Sequence, residues 1–346
     1  MAAQPVPLVV PSTTSDPAES ATQTEISTTQ EEEVVLPKDF VATLPAREGW
    51  SEPLVQYKKY WFRLRLLERT LIVKQAFVPR ADDIILATQP KCGTTTTWIK
   101  ALAFTITNRS RYGFDHHPLL TRHPQHVVPF IEIAGGAGAN RPDIHALPSP
   151  RLLATHMPMS LLPLGTRSVG CRVVYLCRDP KDALVSRLHF ENKVFPGTNL
   201  SMDDAFGMFC DGFSPYGPFW DHCLGYWRES VARQDSVLFL KFEEIKSDPV
   251  HVVRKLEKFL GVRLTEEEES SGVAQEVVRL CSFEKLTSLE VSQVGGVRHG
   301  DSLFMNNSVF YRKEEVGDWA NHMSQEMGDK LDAIVQHKLQ GSGLVF

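Results

Sequence analysis

The run Ile84-Ile85-Leu86-Ala87-Thr88 leads through Gln89-Pro90-Lys91-Cys92-Gly93 into four threonines, Thr94 to Thr97, and then Trp98. The first stretch is apolar throughout, as a strand buried on both faces requires. From Trp98 onward, Ala101, Leu102, Thr105 and Ile106 follow helical spacing, so the chain must pass from strand to helix within a few residues. At such a junction a glycine lets backbone approach an anion closely, the N–H groups of a helix start point towards it, and a lysine adds full positive charge. Lys91, Cys92, Gly93, Thr94, Thr95, Thr96 and Thr97 are therefore read as a phosphate loop. A threonine-capped helix with no ligand is the competing reading of this segment by itself. The order is not that of a nucleoside-triphosphate loop, because Lys91 precedes the only glycine and enters from the strand side.

Further strand patterns recur over 152–155, 172–177 and 236–241, with helical patterns such as Ala183, Leu184, Arg187 and Leu188 between them. This alternation predicts an α/β fold with a parallel sheet covered on both faces. Ligands of such sheets sit beyond the carboxyl ends of the strands, where Lys91, His156 and Arg178 all fall. The aromatic and basic stretch 45–75, with Trp50, Tyr57, Tyr60, Trp61 and Phe62, reads as a helix lying on the core. Gly135-Gly136-Ala137-Gly138 and Gly295-Gly296 mark two loops, each either lying over a substrate pocket or serving as a plain surface connection.

At 346 residues, 42% of them hydrophobic, the chain can bury a large core. A net charge of −5 argues against general binding to nucleic acid or to an anionic membrane. With no long apolar run and no basic-then-apolar start, the sequence reads as cytoplasmic. Residues 1–36 contain no Lys or Arg and are rich in Ser, Thr, Ala, Pro and Glu, which predicts a disordered tail ahead of one domain over 37–346. Glu31-Glu32-Glu33 speaks against a plastid transit peptide. The six cysteines form no C-x-x-C pair and read as free thiols, and His116, His117, His123 and His126 read as polar loop residues rather than metal ligands.

Two more segments carry anion-binding chemistry. Arg178 ends the 172–177 run at an Arg-Asp-Pro turn, with Ser186 about two helical turns later, and Tyr311-Arg312-Lys313-Glu314-Glu315-Val316-Gly317-Asp318-Trp319 contains a basic pair. Without further context the first is more often a salt-bridged corner and the second a solvated patch. His156 follows Leu152-Leu153-Ala154-Thr155 and, as a neutral imidazole, is suited to taking a proton from a hydroxyl near neutral pH.

Taken in order from about residue 50 to 346, these segments resemble the cytosolic sulfotransferases. Phe219-Trp220-Asp221-His222, Gly225-Tyr226-Trp227, and Val237 through Glu244 with Phe242 resemble the plant members of that family in particular. The resemblance implies a single-domain α/β fold, the P-loop-kinase-like sulfotransferase fold, with a central parallel sheet flanked by helices. It also implies 3′-phosphoadenosine 5′-phosphosulfate (PAPS) as sulfuryl donor, 3′-phosphoadenosine 5′-phosphate (PAP) as product, a small hydroxylated acceptor and no metal. Carried over by residue, Lys91 to Thr97 would cradle the 5′-phosphosulfate, and Arg178, Ser186, Arg312 and Lys313 the 3′-phosphate. Phe283 would pack on the adenine with help from Trp98, Phe242 and Glu314 would belong to the donor site, Phe130 would meet the acceptor, and His156 would be the general base with Lys91 assisting departure of the product. Two departures stand out: four threonines precede the tryptophan where the family has two, and Glu314 occupies the place of a glycine. They raise a second reading, a nucleotide-binding homologue impaired in transfer. A small-molecule kinase using ATP is a third. The dimer motif of animal members is not matched between Ala320 and Asp329.

Overall fold

A computed structural model describes residues 38–90, 95–133, 143–195, 197–299 and 303–346, all within one unit, Val34–Phe346. The tail expected over 1–36, the loop residues Lys91 to Thr94 and the glycine run 135–138 lie outside the described residues.

A short helix over Lys38–Ala42 is followed by three short strands, β1 (Ala46–Arg47), β2 (Leu54–Tyr57) and β3 (Tyr60–Arg63), paired antiparallel in that order. The helix expected over 45–75 is thus confined to its last part, α1 (Leu64–Ala76). In β3 burial alternates, Tyr60 and Phe62 being buried and Trp61 and Arg63 only partly so, which is strand periodicity. The hairpin turn is made by Lys58 and Lys59, both at positive φ (46° and 71°), without the Asn-Gly signal that would mark such a turn in a sequence.

The central sheet is built from β4 (Ile84–Thr88), β5 (Leu152–Thr155), β6 (Arg172–Cys177) and β7 (Val237–Lys241), in spatial order β5-β4-β6-β7 and parallel throughout. Ile85 and Ala87 pack into one apolar cluster and Ile84 and Leu86 into another, so each face of the sheet has its own core. The strand runs are apolar without alternation because both faces are covered. After β4 the chain goes first to one side and then to the other. This places a topological switch point at the carboxyl end of β4.

Helix α2 (Thr95–Asn108) follows β4, and α3 (Pro180–Val194) follows β6. The latter starts sharply because Pro180 is preset for a first helical turn and the Asp179 carboxylate accepts from the Lys181 and Asp182 N–H groups. Helices α4 (Phe219–Ala232), α5 (Pro249–Leu260) and α6 (Gln325–Leu339) complete the layers. Gly296, expected in a loop, opens β8 (Gly296–His299), which pairs with β9 (Leu303–Asn306). A Cβ at Gly296 would stand 2.3 Å from the Met305 carbonyl oxygen, so this close strand approach needs glycine.

At the amino end of the sheet Arg151 clamps Asp83 with both arms of its guanidinium, Nε to Oδ1 at 2.7 Å and Nη2 to Oδ2 at 2.6 Å, and both side chains are fully buried. Removing one partner leaves an uncompensated charge in the interior, which typically costs about 3–5 kcal/mol. Asp83→Ala and Arg151→Met should therefore each lower the urea unfolding free energy by about that amount. The double variant Asp83→Leu/Arg151→Met should lose less than the sum of the two, as denaturation curves of all three would show.

Candidate active site

His156 begins where β5 ends. Its backbone N–H donates to Glu132 Oε1 (2.6 Å), the neighbouring Thr155 hydroxyl donates to Glu132 Oε2 (3.0 Å), and Met157 N–H donates back to Thr155 Oγ1 (3.0 Å). One buried carboxylate thus ties down the turn that carries the histidine. Burial raises the Glu132 pKa, and the donors from His156, Thr155 and its own backbone together with the Lys100 charge pull in the other direction. The His156 Nδ1 lies 2.8 Å from the Thr88 carbonyl oxygen at the end of β4. A carbonyl only accepts, so Nδ1 carries the proton and the lone pair is on Nε2. The His156 carbonyl accepts from His222 Nε2 (3.0 Å), whose Nδ1 in turn accepts from the Tyr175 hydroxyl (2.9 Å). Burial holds the His222 pKa down to about 4, so this second histidine is a neutral brace.

His156 opens into a cavity of about 150 Å³ walled by Phe130, Phe190, Phe195, Tyr216 and Phe310. Phe130 packs on the imidazole with ring centroids 4.6 Å apart, and Tyr216 meets it edge-on at 5.9 Å. Behind Phe130 stands Lys100, fully buried, with its Nζ 3.5 Å from the ring centroid and 2.6 Å from Gln125 Oε1. Burial pulls the Lys100 pKa well below the usual lysine range, partly offset by the Glu132 charge. Gln125 Nε2 donates to Thr97 Oγ1 (3.2 Å), and Thr96 Oγ1 lies 2.9 Å from Thr88 Oγ1. Thr95, Thr96 and Thr97 therefore belong to the first turn of α2, and the last two are buried against β4 and Gln125 while lining the cavity beside His156.

A second cavity, of about 350 Å³, is lined by Ser186, His189, Lys193, Tyr311, Arg312 and Lys313, and shares Phe190 and Phe310 with the first. Ser186, Arg312 and Lys313 are thus brought together. Arg178 lies fully buried, its Nη2 donating to Asp182 Oδ2 (3.1 Å) and to the Glu315 carbonyl, and its guanidinium stacked 4.6 Å over the Phe242 ring. Asp182 also accepts from the Gly317 and Trp319 N–H groups, both at 2.9 Å, which pins the basic segment to α3. Asp318 engages both Arg312 and Lys313; burial would raise its pKa, but the hydrogen bonds from Arg312, Asn321 and Lys313 hold it well below the carboxylate range. Trp98 meets Phe242 edge-on at 5.8 Å, whereas Phe283 meets Tyr311 at 6.1 Å.

Several buried polar atoms here have no hydrogen-bond partner among the described residues: Arg178 Nε and Nη1, Trp98 Nε1, Arg312 Nη2 and Glu314 Oε1. Burying a guanidinium with open donors is costly unless an anion completes it. That set fits an anionic, aromatic ligand. Glu314 does not turn outward: it is 8% exposed, with Oε2 3.5 Å from Lys246 Nζ. Burial and the nearby Glu284 raise its pKa to about 7 against the opposing pull of Lys246 and Arg178.

Glu132, Lys100, Gln125, Thr88, Tyr216 and His222 complete the surroundings of His156, and none was singled out for a role from the sequence. They come from separate elements and share no local pattern. His117 and His123, expected as polar loop residues, are buried caps whose Nδ1 atoms accept the Leu119 and Gln125 N–H groups, with pKa values pushed down by burial to about 4 and about 3. Among the described residues no group of His, Cys, Asp or Glu is placed to hold a metal, and Cys171, Cys177, Cys210, Cys223 and Cys281 are thiols outside any disulfide.

Comparison with known proteins agrees with this architecture. Residues 81–343 match the sulfotransferase domain. Cytosolic sulfotransferase 5 of Arabidopsis thaliana is 41% identical over 315 residues, covering 89% of this chain and 96% of that protein. A solved Arabidopsis thaliana sulphotransferase structure superposes with a TM-score of 0.70 at 32% identity, covering 96% of this chain and 100% of that one. A mouse sulfotransferase in complex with PAP shares the fold, with a TM-score of 0.62 at 24% identity over 84% of this chain and 95% of that one. The chain therefore belongs to the plant cytosolic sulfotransferase family and is an enzyme of sulfuryl transfer.

Proposed function

We propose that this enzyme moves the sulfuryl group of PAPS onto a hydroxyl of a small, largely apolar acceptor such as a flavonoid, a simple phenol, a hydroxylated hormone or a steroid, in the cytosol, with 37–346 as the catalytic domain and 1–36 as a tail. The observation that carries this reading is the His156 imidazole, locked by the Thr88 carbonyl with its lone pair on Nε2 and opening into an aromatic cavity. In this reading Nε2 takes the acceptor's proton as the acceptor oxygen bonds to sulfur. The bond from sulfur to the bridging phosphate oxygen breaks in line, and PAP leaves with the electron pair. Phe130 and Tyr216 hold the acceptor against the imidazole and keep water out.

The open donors of Arg178 and Arg312, with Ser186 and Lys313, supply the 3′-phosphate grip in this reading, and Trp98, Phe242 and Phe283 the adenine contacts. The mouse relative of the same fold holds PAP. Lys91, Cys92, Gly93 and Thr94, outside the described residues, would complete the 5′ side with Thr95, Thr96 and Thr97, Lys91 neutralising charge on the leaving oxygen.

His156→Ala should reduce transfer by about 10²–10⁴ while changing PAP affinity little. Single-turnover transfer beside calorimetric titration with PAP separates the two, and a variant keeping most of its turnover would remove the histidine from the mechanism.

The buried Glu314 favours a second reading in which donor binding is weakened. Its carboxyl, with a pKa raised to about 7, is largely neutral at pH 6 and largely charged at pH 8, and only the charged form repels a phosphate. PAP affinity should accordingly fall as pH rises across that window, by at most about tenfold per pH unit. Glu314→Gln should flatten the profile and Glu314→Gly should tighten binding most at pH 8. Identical profiles for the three proteins in calorimetry would show that Glu314 does not face the ligand.

A further inference from the structure

Lys100 takes no part in the bond changes of the proposed transfer, yet it is fully buried on α2 among Ile99, Ala101, Leu102 and Ala103. Taking an ammonium out of water is costly unless its donors are used. Its Nζ meets Gln125 Oε1 at 2.6 Å and lies 3.5 Å from the centroid of the Phe130 ring. Lysine only donates, so Gln125 must turn Oε1 to it and Nε2 to Thr97 Oγ1, 3.2 Å away, while the Gln125 N–H donates to His123 Nδ1 at 3.2 Å. The amide that seats the lysine is thereby held at three points. The backbone at Phe130 is also fixed, because the Ala154 N–H donates to the Pro129 carbonyl and the Ile131 N–H to the Ala154 carbonyl, both at 2.8 Å, alongside β5. That pairing does not fix the ring. Phe130 is half-buried in the cavity wall, its bridge partner Ala154 offers only a methyl group, and the ring packs on the His156 imidazole at 4.6 Å between centroids.

We propose that Lys100 is a positioning residue for sulfuryl transfer: it holds the Phe130 ring in the orientation that packs on His156, and so sets how an acceptor lies against Nε2. This rests on the reading of His156 as the base and of its cavity as the acceptor site. A cation over an aromatic face is attracted most strongly where water is excluded, as it is around Lys100. As the neutral amine towards which burial drives it, Lys100 keeps N–H groups for both the ring and Gln125, so the hold weakens without being lost. A ring free to turn would leave the acceptor's hydroxyl out of line with the imidazole, a loss felt in the chemical step more than in binding. A lysine that only filled space on α2 would instead affect stability and both substrates alike.

The test uses the full-length chain and two substitutions, Lys100→Met, which keeps the length of the side chain and removes its donors, and Lys100→Gln. In protein carrying carbon-13-labelled histidine, the His156 Cε1–H signal is identified by its loss in His156→Ala, and its position reports the ring current of Phe130. Both Lys100 substitutions should move that signal towards its position in Phe130→Leu. With PAPS and 2-naphthol, Lys100→Met should lower kcat by about tenfold, while the acceptor KM and the calorimetric PAP affinity each change by less than about threefold. Because Lys100 acts through the ring, Phe130→Leu/Lys100→Met should be slower than Phe130→Leu alone by no more than about twofold. An unmoved His156 signal, or a kcat loss that adds in full to that of Phe130→Leu, would overturn the proposal and leave the transfer reading intact. So would loss of PAP binding in both Lys100 variants, which would make the lysine part of the general framework. A natural chain that binds PAP but sulfates neither 2-naphthol nor any of a panel of phenols and steroids would overturn the transfer reading and this inference with it.

Discussion

Strand β4 is hydrogen-bonded along both edges, with Leu86 opposite Ala154 on one side and Val174 on the other. Because the three strands run parallel, their carboxyl ends open on the same side, and the chain must leave each by a turn. His156, the start of α2 and Arg178 are the three exits. None of these residues needs to be aimed by its own loop. The register of the central strand places them, and the Thr88 carbonyl, being the last polar atom of that strand, lies within reach of the His156 ring at 2.8 Å.

Charge is buried at this edge in quantity, and each instance is answered differently. Glu132 is met by two hydrogen bonds, from the His156 N–H and the Thr155 hydroxyl, and so acts as a strut. Lys100 is met by one amide oxygen and an aromatic face, a weaker response for a fully buried ammonium, and its pKa moves down as a result. Arg178 cannot lose its proton, and among the described residues only its Nη2 is satisfied, with Nε and Nη1 left open. An interior that neutralises its charges where it can, and leaves a permanent one half satisfied, suits the anionic ligand of the proposed reading. Glu314, also half satisfied but able to take up a proton, gives that same region a dependence on pH that a glycine would not.

The four strands of the central sheet were legible in the sequence because each is an apolar run long enough to cross a buried sheet. The positions of His156, Arg178 and Ser186 followed from where those runs end. The hairpin before α1 was not legible, since its turn uses Lys58 and Lys59 at positive φ, which no composition rule marks. Nor was the environment of His156. Glu132 is 24 residues before the histidine it supports, and Thr88 and His222 are 68 and 66 residues away, and only tertiary pairing brings them together. The buried roles of His117 and His123 escaped for a related reason: a neutral histidine capping a short helix has the same sequence appearance as one in a loop.

Helix α3 joins the two cavities mechanically. Asp182, in its first turn, holds Arg178 and the N–H groups of Gly317 and Trp319, and Ser186 faces the cavity of the basic pair. One residue later Arg187 donates to the Pro90 carbonyl at 2.6 Å, two residues beyond β4, and binds Glu191, which also holds Arg63 beside the His156 cavity. Phe190 stands in both cavities. A rigid helix capped by Asp179 fixes the spacing of these groups, so a displacement at the Arg178 end is transmitted to the wall of the cavity beside His156. In the proposed in-line transfer, where donor sulfur and acceptor oxygen must meet and misplacement by about 1 Å can cost about 10²-fold, that shared helix would hold both substrates to one geometry.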